Sequence, residues 1–271
     1  MGDLKHYVIS GGVRGRERLK MLARVMQPMT NALLDRVGID AGMKVLDVGC
    51  GSGAVSFELA KRVGSEGKVI GADIDQIKIE LANDEASQLG VSNVQFCSFD
   101  IRDHNEFDKF DVVYARFLLT HLADPFDAAQ CFFRLLKAGG KVIVEDIDFS
   151  GHFVHPPLAA FDRYRELYCT SVRRRGGDPN IGPRVPKILK DCGFVDVDLA
   201  VVQPVALTGE TKLLGPITLE NIAEAAIAEG LTTQAEIDEL VGQLYDFAAD
   251  PNTVSGLPRI VQTWGRKEQN G

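Results

Sequence analysis

The chain has 271 residues, enough for one large α/β domain or for a catalytic core of ordinary size with a sizeable insertion, and a single core is expected. Its 45% hydrophobic and 25% charged content is that of an ordinary globular protein, without low-complexity tracts or internal repeats. A formal net charge of −8 and a pI near 5.2 argue against a surface built to neutralise a phosphate backbone, so no nucleic acid is expected as a partner.

No apolar run is long enough to span a bilayer, and the opening MGDLKHYVIS lacks the apolar core of a signal peptide. Gly2 invites a myristoylation reading, but His6 stands where that motif requires Ser or Thr. A soluble, cytoplasmic protein without a membrane partner is the expectation. The five cysteines, Cys50, Cys97, Cys131, Cys169 and Cys192, are odd in number and lack metal-ligand spacing, so they read as small core residues and no metal is expected.

In chain order, residues 17–37 carry apolar side chains at helical spacing (Leu19, Leu22, Val25, Met26, Met29, Leu33, Leu34) and predict an amphipathic leader helix. Strands are expected at 44–48, 69–72, 94–98, 110–115 and 141–147, with helices at 55–63, 77–89 and 126–136 between them. This alternation predicts a parallel sheet covered on both faces, with ligands at the carboxyl ends of its strands. From Phe149 a segment rich in Pro, Gly, Arg and aromatics interrupts the pattern and reads as an insertion over the site. A helix at 185–192 and strands at 195–202 and 259–265 follow, with helices at 219–229 and 235–248 between the two strands. Thr233 and Glu236 have the spacing of a reciprocal N-terminal cap. The expected division is a leader at 1–37 and a catalytic domain at 38–271, with covering segments near 149–186 and 204–256.

The stretch Val45-Leu46-Asp47-Val48-Gly49-Cys50-Gly51-Ser52-Gly53-Ala54 is a strand running into a glycine-rich turn that opens a helix. Such a turn needs positive φ angles and lets a ligand approach bare backbone. Gly49, Gly51 and Ala54 also satisfy a dinucleotide fingerprint, so spacing alone leaves NAD open. Charge separates the two: Asp47 would repel a pyrophosphate and attract the cationic amino-acid end of S-adenosylmethionine (SAM). Its structural alternative is a carboxylate bonded to the turn's own amides.

At the next strand end, Gly71-Ala72-Asp73-Ile74-Asp75 offers Asp73 to ribose hydroxyls and Ile74 to an adenine face, with Asp75 as the following N-cap. Ser98-Phe99-Asp100-Ile101 places Asp100 to accept from an adenine amino group. Three acids on three successive strand ends together favour an adenosyl cation.

VLDVGCGSG, GADID, SFDIR, FDVVYARFLLTHL and LKAGGKVIVEDID, in this order, resemble the class I SAM-dependent methyltransferases, within them the group of quinone and natural-product methyltransferases. The resemblance covers roughly residues 38–147 well and both termini loosely. It implies a Rossmann-like α/β fold with a seven-stranded, mainly parallel sheet and a reversed terminal strand. It also implies SAM held by Asp47, Gly49, Cys50, Gly51, Gly53, Asp73, Ile74, Asp100 and Ile101, with Ala115 and Arg116 after the fourth strand and Tyr7 from an N-terminal cap.

Methyl transfer is an in-line displacement at carbon, in which the protein mainly aligns the reactants and excludes water. For a hydroxyl acceptor a base near neutrality would help, and His121 is best placed; its alternative is fixing the loop before Asp124-Pro125. Glu145, Asp146 and Asp148 end the fifth strand, where an acceptor would enter; they would contact it or simply terminate the strand. His152 and His155 on the inserted segment are further candidates, His152 as a substrate contact. Arg173-Arg174-Arg175 reads as a solvated helix end stopped by glycines. Phe149, Phe153, Phe161, Tyr164 and Tyr168 suit an apolar small-molecule acceptor or the packing of the insertion. An NAD(P)-dependent oxidoreductase, a non-catalytic SAM-binding protein and a protein methyltransferase are the competing readings. The sequence leaves the oligomeric state open, a homodimer included.

Overall fold

The computed structural model describes residues 12–103 and 109–268, so Tyr7 lies outside the described residues, as do Gly2 and His6. The strands are β1 (Lys44–Val48), β2 (Lys68–Asp73), β3 (Val94–Ser98), β4 (Phe110–Arg116), β5 (Leu136–Asp148), β6 (Phe153–His155), β7 (Val195–Val202), β8 (Val205–Ala206), β9 (Val254–Gly256) and β10 (Arg259–Arg266). The helices are α1 (Gly12–Val37), α2 (Ala54–Val63), α3 (Gln76–Leu89), α4 (Pro125–Leu135), α5 (Ala159–Arg174), α6 (Val185–Asp191), α7 (Glu210–Ala228) and α8 (Gln234–Ala249).

Seven strands form one sheet in the order β3-β2-β1-β4-β5-β10-β7. The first five are mutually parallel, and β10 runs antiparallel to both β5 and β7. The reversed strand is therefore last in sequence but second from the edge. β1 is apolar on both faces, as a central parallel strand must be: Val45 and Leu46 are both fully buried, under helices on opposite sides. Leu33 and Leu34 of α1, Leu59 of α2 and Ala82 of α3 pack one face; Phe132 and Leu135 of α4 with Val185 and Leu189 of α6 pack the other. Strand order reverses between β1 and β4, which opens a crevice beyond their carboxyl ends.

A separate apolar cluster joins α5, α7 and α8 to the end of β5 through Ile147, Phe149, Tyr164, Tyr168, Leu219 and Leu240. Beside it lies a three-stranded antiparallel sheet, β6-β9-β8. Strands of two or three residues carry no readable periodicity, which is why the sequence does not announce them. α7 begins at Glu210, nine residues before the expected start, although Gly215 and Pro216 lie inside it. Packing overrides these breakers: Leu214 is buried, and Lys212 donates to the Leu207 and Asp250 carbonyls at 3.0 and 2.6 Å. β5 begins five residues early, entering through an irregular register beside Phe110.

At α8 only half of the expected reciprocal cap forms. The Thr233 hydroxyl accepts the Glu236 amide at 3.2 Å, whereas the Glu236 carboxylate is drawn away to Arg163 and Thr232, each at 2.7 Å. Among the described residues no helix is long and apolar enough to cross a membrane, and no group of side chains is arranged to hold a metal.

Candidate active site

Where β1 ends, the chain turns through Gly49 (φ 70°), Gly51 (φ 56°) and Gly53 (φ 79°) before α2 begins. The turn is bonded to β2: Gly49 and Cys50 donate to the Ala72 carbonyl at 2.7 and 3.0 Å, and Gly51 donates to Asp73 at 3.0 Å. The glycines differ in purpose. A Cβ on Gly49 would come within 3.1 Å of Leu118 at the cavity wall, whereas one on Gly53 would lie 2.6 Å from the Phe96 ring. Gly53 does not line the cavity; packing and left-handed backbone account for it, a departure from the expected ligand contact.

Asp47 is 2% exposed and accepts from the Ser56 hydroxyl at 2.5 Å. Burial raises its carboxyl to about 6, against the opposing hydrogen bond from Ser56 and the positive charge of Arg116. It is Asp73 rather than Asp47 that takes a turn amide, and its second oxygen accepts the Asp75 amide at 3.0 Å. Asp75 caps α3 as expected, accepting from Ile77 and Lys78. Asp100 is paired with Arg102, which holds its carboxyl below the usual carboxylate range. Ile74, 46% exposed, and Ile101 line the same cavity, as does Cys50, whose thiol burial pushes well up.

At the end of β4, Ala115 belongs to the core and does not reach the cavity, another departure from expectation. Arg116 does reach it and donates to Thr30 at 3.2 Å. Phe117 follows at φ 54°, a left-handed backbone for a bulky residue in the cavity wall.

Glu145 and Asp146, expected at the acceptor entrance, lie inside the structure instead, both fully buried and away from the cavity. Glu145 accepts from Thr30 and Gln262, each at 2.8 Å, and from the Tyr114 hydroxyl. Asp146 accepts the amides of Leu119, Thr120 and Ile147 at 2.8, 3.2 and 2.9 Å, and burial raises its carboxyl to about 7. Each carboxylate thus accepts three hydrogen bonds that hold elements together, and neither lines the cavity. Asp148 is tied to Arg259 at 2.7 Å.

The 3₁₀ turn Leu119–His121, pinned by Asp146, brings His121 to the cavity. Burial, with the charges of Arg18 and Lys78, lowers His121 to about 3; burial, with the charge of Arg165, lowers His152 to about 3. Both imidazoles are neutral and weakly basic, which does not suit the general base near neutrality expected at His121. His152 meets Phe149, Phe161 and Tyr164 edge-on at centroid distances of 5.0, 4.7 and 5.8 Å, and Phe149 stacks on Tyr168 at 4.2 Å. His155 is exposed and off the cavity. Arg174 and Arg175 end α5 by bonding the Glu229 carbonyl and carboxylate at 2.7 and 2.6 Å.

These residues surround one continuous cavity of about 1020 Å³, running from Gly49, Asp73 and Asp100 at one end to Phe149, His152 and Tyr164 at the other. Arg18 and Thr218 also line it and were not anticipated. A signal for Arg18 does exist: Leu22, Val25, Met26 and Met29 follow it at intervals of four, seven, eight and eleven, which sets a charge on the apolar face of α1.

Residues 39–174 match the methyltransferase domain family. Over 220 residues the chain is 34% identical to the methyltransferase GfsG of Streptomyces halstedii, covering 77% of this chain and 76% of that one. The chain belongs to the class I SAM-dependent methyltransferases. S-adenosylmethionine is the cofactor. This methyltransferase is also 30% identical over 146 residues to the ubiquinone/menaquinone biosynthesis C-methyltransferase UbiE of Idiomarina loihiensis, covering 53% of this chain and 56% of that one. Its fold matches phosphoethanolamine N-methyltransferase 2 of Haemonchus contortus, solved with phosphomonomethylethanolamine and S-adenosylhomocysteine. That match has a TM-score of 0.60 and 19% identity, across 93% of this chain and 58% of that one. The chain spans only 31% to 59% of the length of the first curated relatives it matches.

The site chemistry fits the cofactor. Acids stand at the ends of three neighbouring strands, β1, β2 and β3, beside a turn at whose Gly49, with its left-handed backbone, a Cβ would crowd Leu118. Such a wall attracts a cation and would repel a pyrophosphate.

Proposed function

We propose that the methyltransferase moves the methyl group of SAM to a small, largely apolar acceptor seated among Phe149, His152, Tyr164 and Tyr168. The observation that carries this reading is the continuity of the cavity from the acidic strand ends to the aromatic ring cluster. When bound, SAM supplies an activated methyl group on a good leaving group. Asp47 would hold its ammonium end, Asp73 the ribose hydroxyls, and Asp100 with Ile74 and Ile101 the adenine. Gly49, Cys50 and Gly51 would offer backbone, and Arg116 would close the site beside Asp47.

The residues' task in this reading is alignment and exclusion of water. α5, α7 and α8 would cover the acceptor. The aromatic wall supports an acceptor of the quinone-precursor kind named for UbiE over the small charged base named for the Haemonchus enzyme. The acidic charge balance supports an enzyme acting on a metabolite rather than on nucleic acid.

Calorimetric titration with SAM and separately with NADH, on wild type and Asp73→Ala, tests the cofactor assignment. Label transfer from methyl-labelled SAM to a panel of apolar phenols, enols and amines tests the reaction. Saturable SAM binding weakened by the substitution, with a labelled product, is expected. NADH binding without SAM binding would overturn the reading, and SAM uptake without transfer to any acceptor would favour a non-catalytic SAM-binding protein.

A further inference from the structure

Arg18 projects from α1 into the acceptor end of the cavity and is 9% exposed. Its one hydrogen bond to a described residue runs from Nε to the neutral hydroxyl of Thr218 on α7, at 3.0 Å. Other arginines of this fold are partnered by acids: Arg24 by Glu210, Arg62 by Glu58 and Asp35, Arg163 by Glu236. Among the described residues no carboxylate pairs with Arg18, and the four N–H donors of its terminal nitrogens have no acceptor there. A guanidinium that meets no counter-charge among the described residues and faces a cavity is open to an anion from outside the protein.

The surroundings sharpen this. The charge of Arg18 acts on His121 and Tyr164, both on the cavity wall. Of the acids lining the cavity, Asp47, Asp73, Asp75 and Asp100 stand on the cofactor side, while Asp124, the N-cap of α4, and Glu224 are exposed. Nδ1 of His152, in a side chain 5% exposed, has no hydrogen-bond partner among the described residues and adds a second polar point to an otherwise apolar wall.

We propose that Arg18 is the specificity-determining residue of the acceptor site and binds an anionic oxygen, a carboxylate or a phenolate or enolate, carried by a flat apolar acceptor. The proposal rests on the reading of this cavity end as the acceptor site. It also removes the need for a base. Where the bound oxygen belongs to the nucleophile, the guanidinium stabilises the deprotonated form before reaction. The acceptor's electron pair then forms the bond to the methyl carbon as the carbon–sulfur bond breaks, its pair passing to sulfur. One negative and one positive charge enter, a neutral methylated product and a neutral thioether leave, and no proton moves in the step.

The test uses the full chain saturated with S-adenosylhomocysteine and three flat probes of one shape: 2-naphthoate, 2-naphthol and the neutral 2-naphthamide, titrated at pH 8. At least one anion-forming probe is expected to bind about tenfold or more tightly than the amide, as a charge-assisted bidentate contact would give. Arg18→Gln is expected to bring the probes within about twofold of one another with S-adenosylhomocysteine affinity unchanged, and Arg18→Lys to keep part of the preference. Preference for naphthoate alone identifies a carboxylate; naphthol bound with the absorption of its anion identifies a phenolate or enolate. Amide binding equal to both, no binding of either anion at millimolar concentration, or a preference that survives Arg18→Gln would overturn the proposal. Should Arg18→Gln fail to fold, the wild-type comparison and Arg18→Lys decide. Failure of wild type to take up S-adenosylhomocysteine would overturn the methyltransferase reading itself, and the proposal with it.

Discussion

Oδ2 of Asp146 accepts the backbone amide of Leu119 at 2.8 Å, so a buried acid at the end of β5 fixes the turn that leaves β4. The same carboxylate takes Thr120 and Ile147, which makes it the hub of the wall that presents His121. Asp146→Ala would strand three amides, and unfolding in urea should show a loss of about 3 kcal/mol. The pH dependence has a definite sign. The folded carboxyl, near 7, lies above its unfolded value of 3.8, so the native state keeps a proton that the unfolded chain has released. This group therefore makes stability fall as pH rises from about 4 to about 7. His121 and His152, lowered to about 3, act in the opposite sense below pH 6.5. The comparison that isolates Asp146 is wild type minus Asp146→Asn, at pH 5 and at pH 8.

Asp47 must be ionised to attract a cation, and burial places its titration at about 6. SAM affinity should rise as pH passes upward through that value and level above it. In Asp47→Asn the affinity should be about tenfold or more lower at pH 7.5 and flat with pH. Calorimetry between pH 5 and 8 measures both; a pH-independent wild type would refute the assignment.

Asp73 ties the glycine turn to β2 through the Gly51 amide and also accepts the Asp75 amide ahead of α3. Asp73→Ala should weaken SAM binding by about tenfold or more, because it removes both the acceptor of the Gly51 amide and the carboxylate offered to the ribose hydroxyls. Asp73→Asn, able to accept at one oxygen, should fall between the two.

Gly53→Ala would set a methyl group 2.6 Å from Cζ of Phe96 on a backbone of φ 79°. A loss of about 1–3 kcal/mol in unfolding free energy is expected from overpacking. Gly53→Ala with Phe96→Leu should recover part of it, as a double-mutant cycle would show.

Neutral histidines predict a kinetic absence. The pH profile of kcat/KM in His121→Gln should keep whatever inflection wild type shows between pH 5 and 8, because a group near 3 titrates outside that range. Loss of an inflection in this variant would restore His121 as the base.

The sequence by itself determined the alternation of strands and helices, the glycine turn after β1 and the cap at Asp75, because each is a local relation among residues a few positions apart. Val45 and Leu46 announce a strand buried on both faces without reference to anything distant. Asp47, Asp73 and Asp100 were legible for the same reason, each being a strand-end acid. The fate of Glu145 and Asp146 was decided only by tertiary structure. Their spacing marks a strand end, but Gln262, 117 positions from Glu145, pairs beside it through the reversed strand β10 and donates to its carboxylate. Burial likewise turned His121 and His152 from candidate bases into neutral rings. The same packing of α1 against α7 set Arg18 facing the cavity, with only the Thr218 hydroxyl as a described partner. Local geometry is written in short-range pattern, whereas whether a charge meets water, a partner or a ligand depends on what the rest of the chain brings against it.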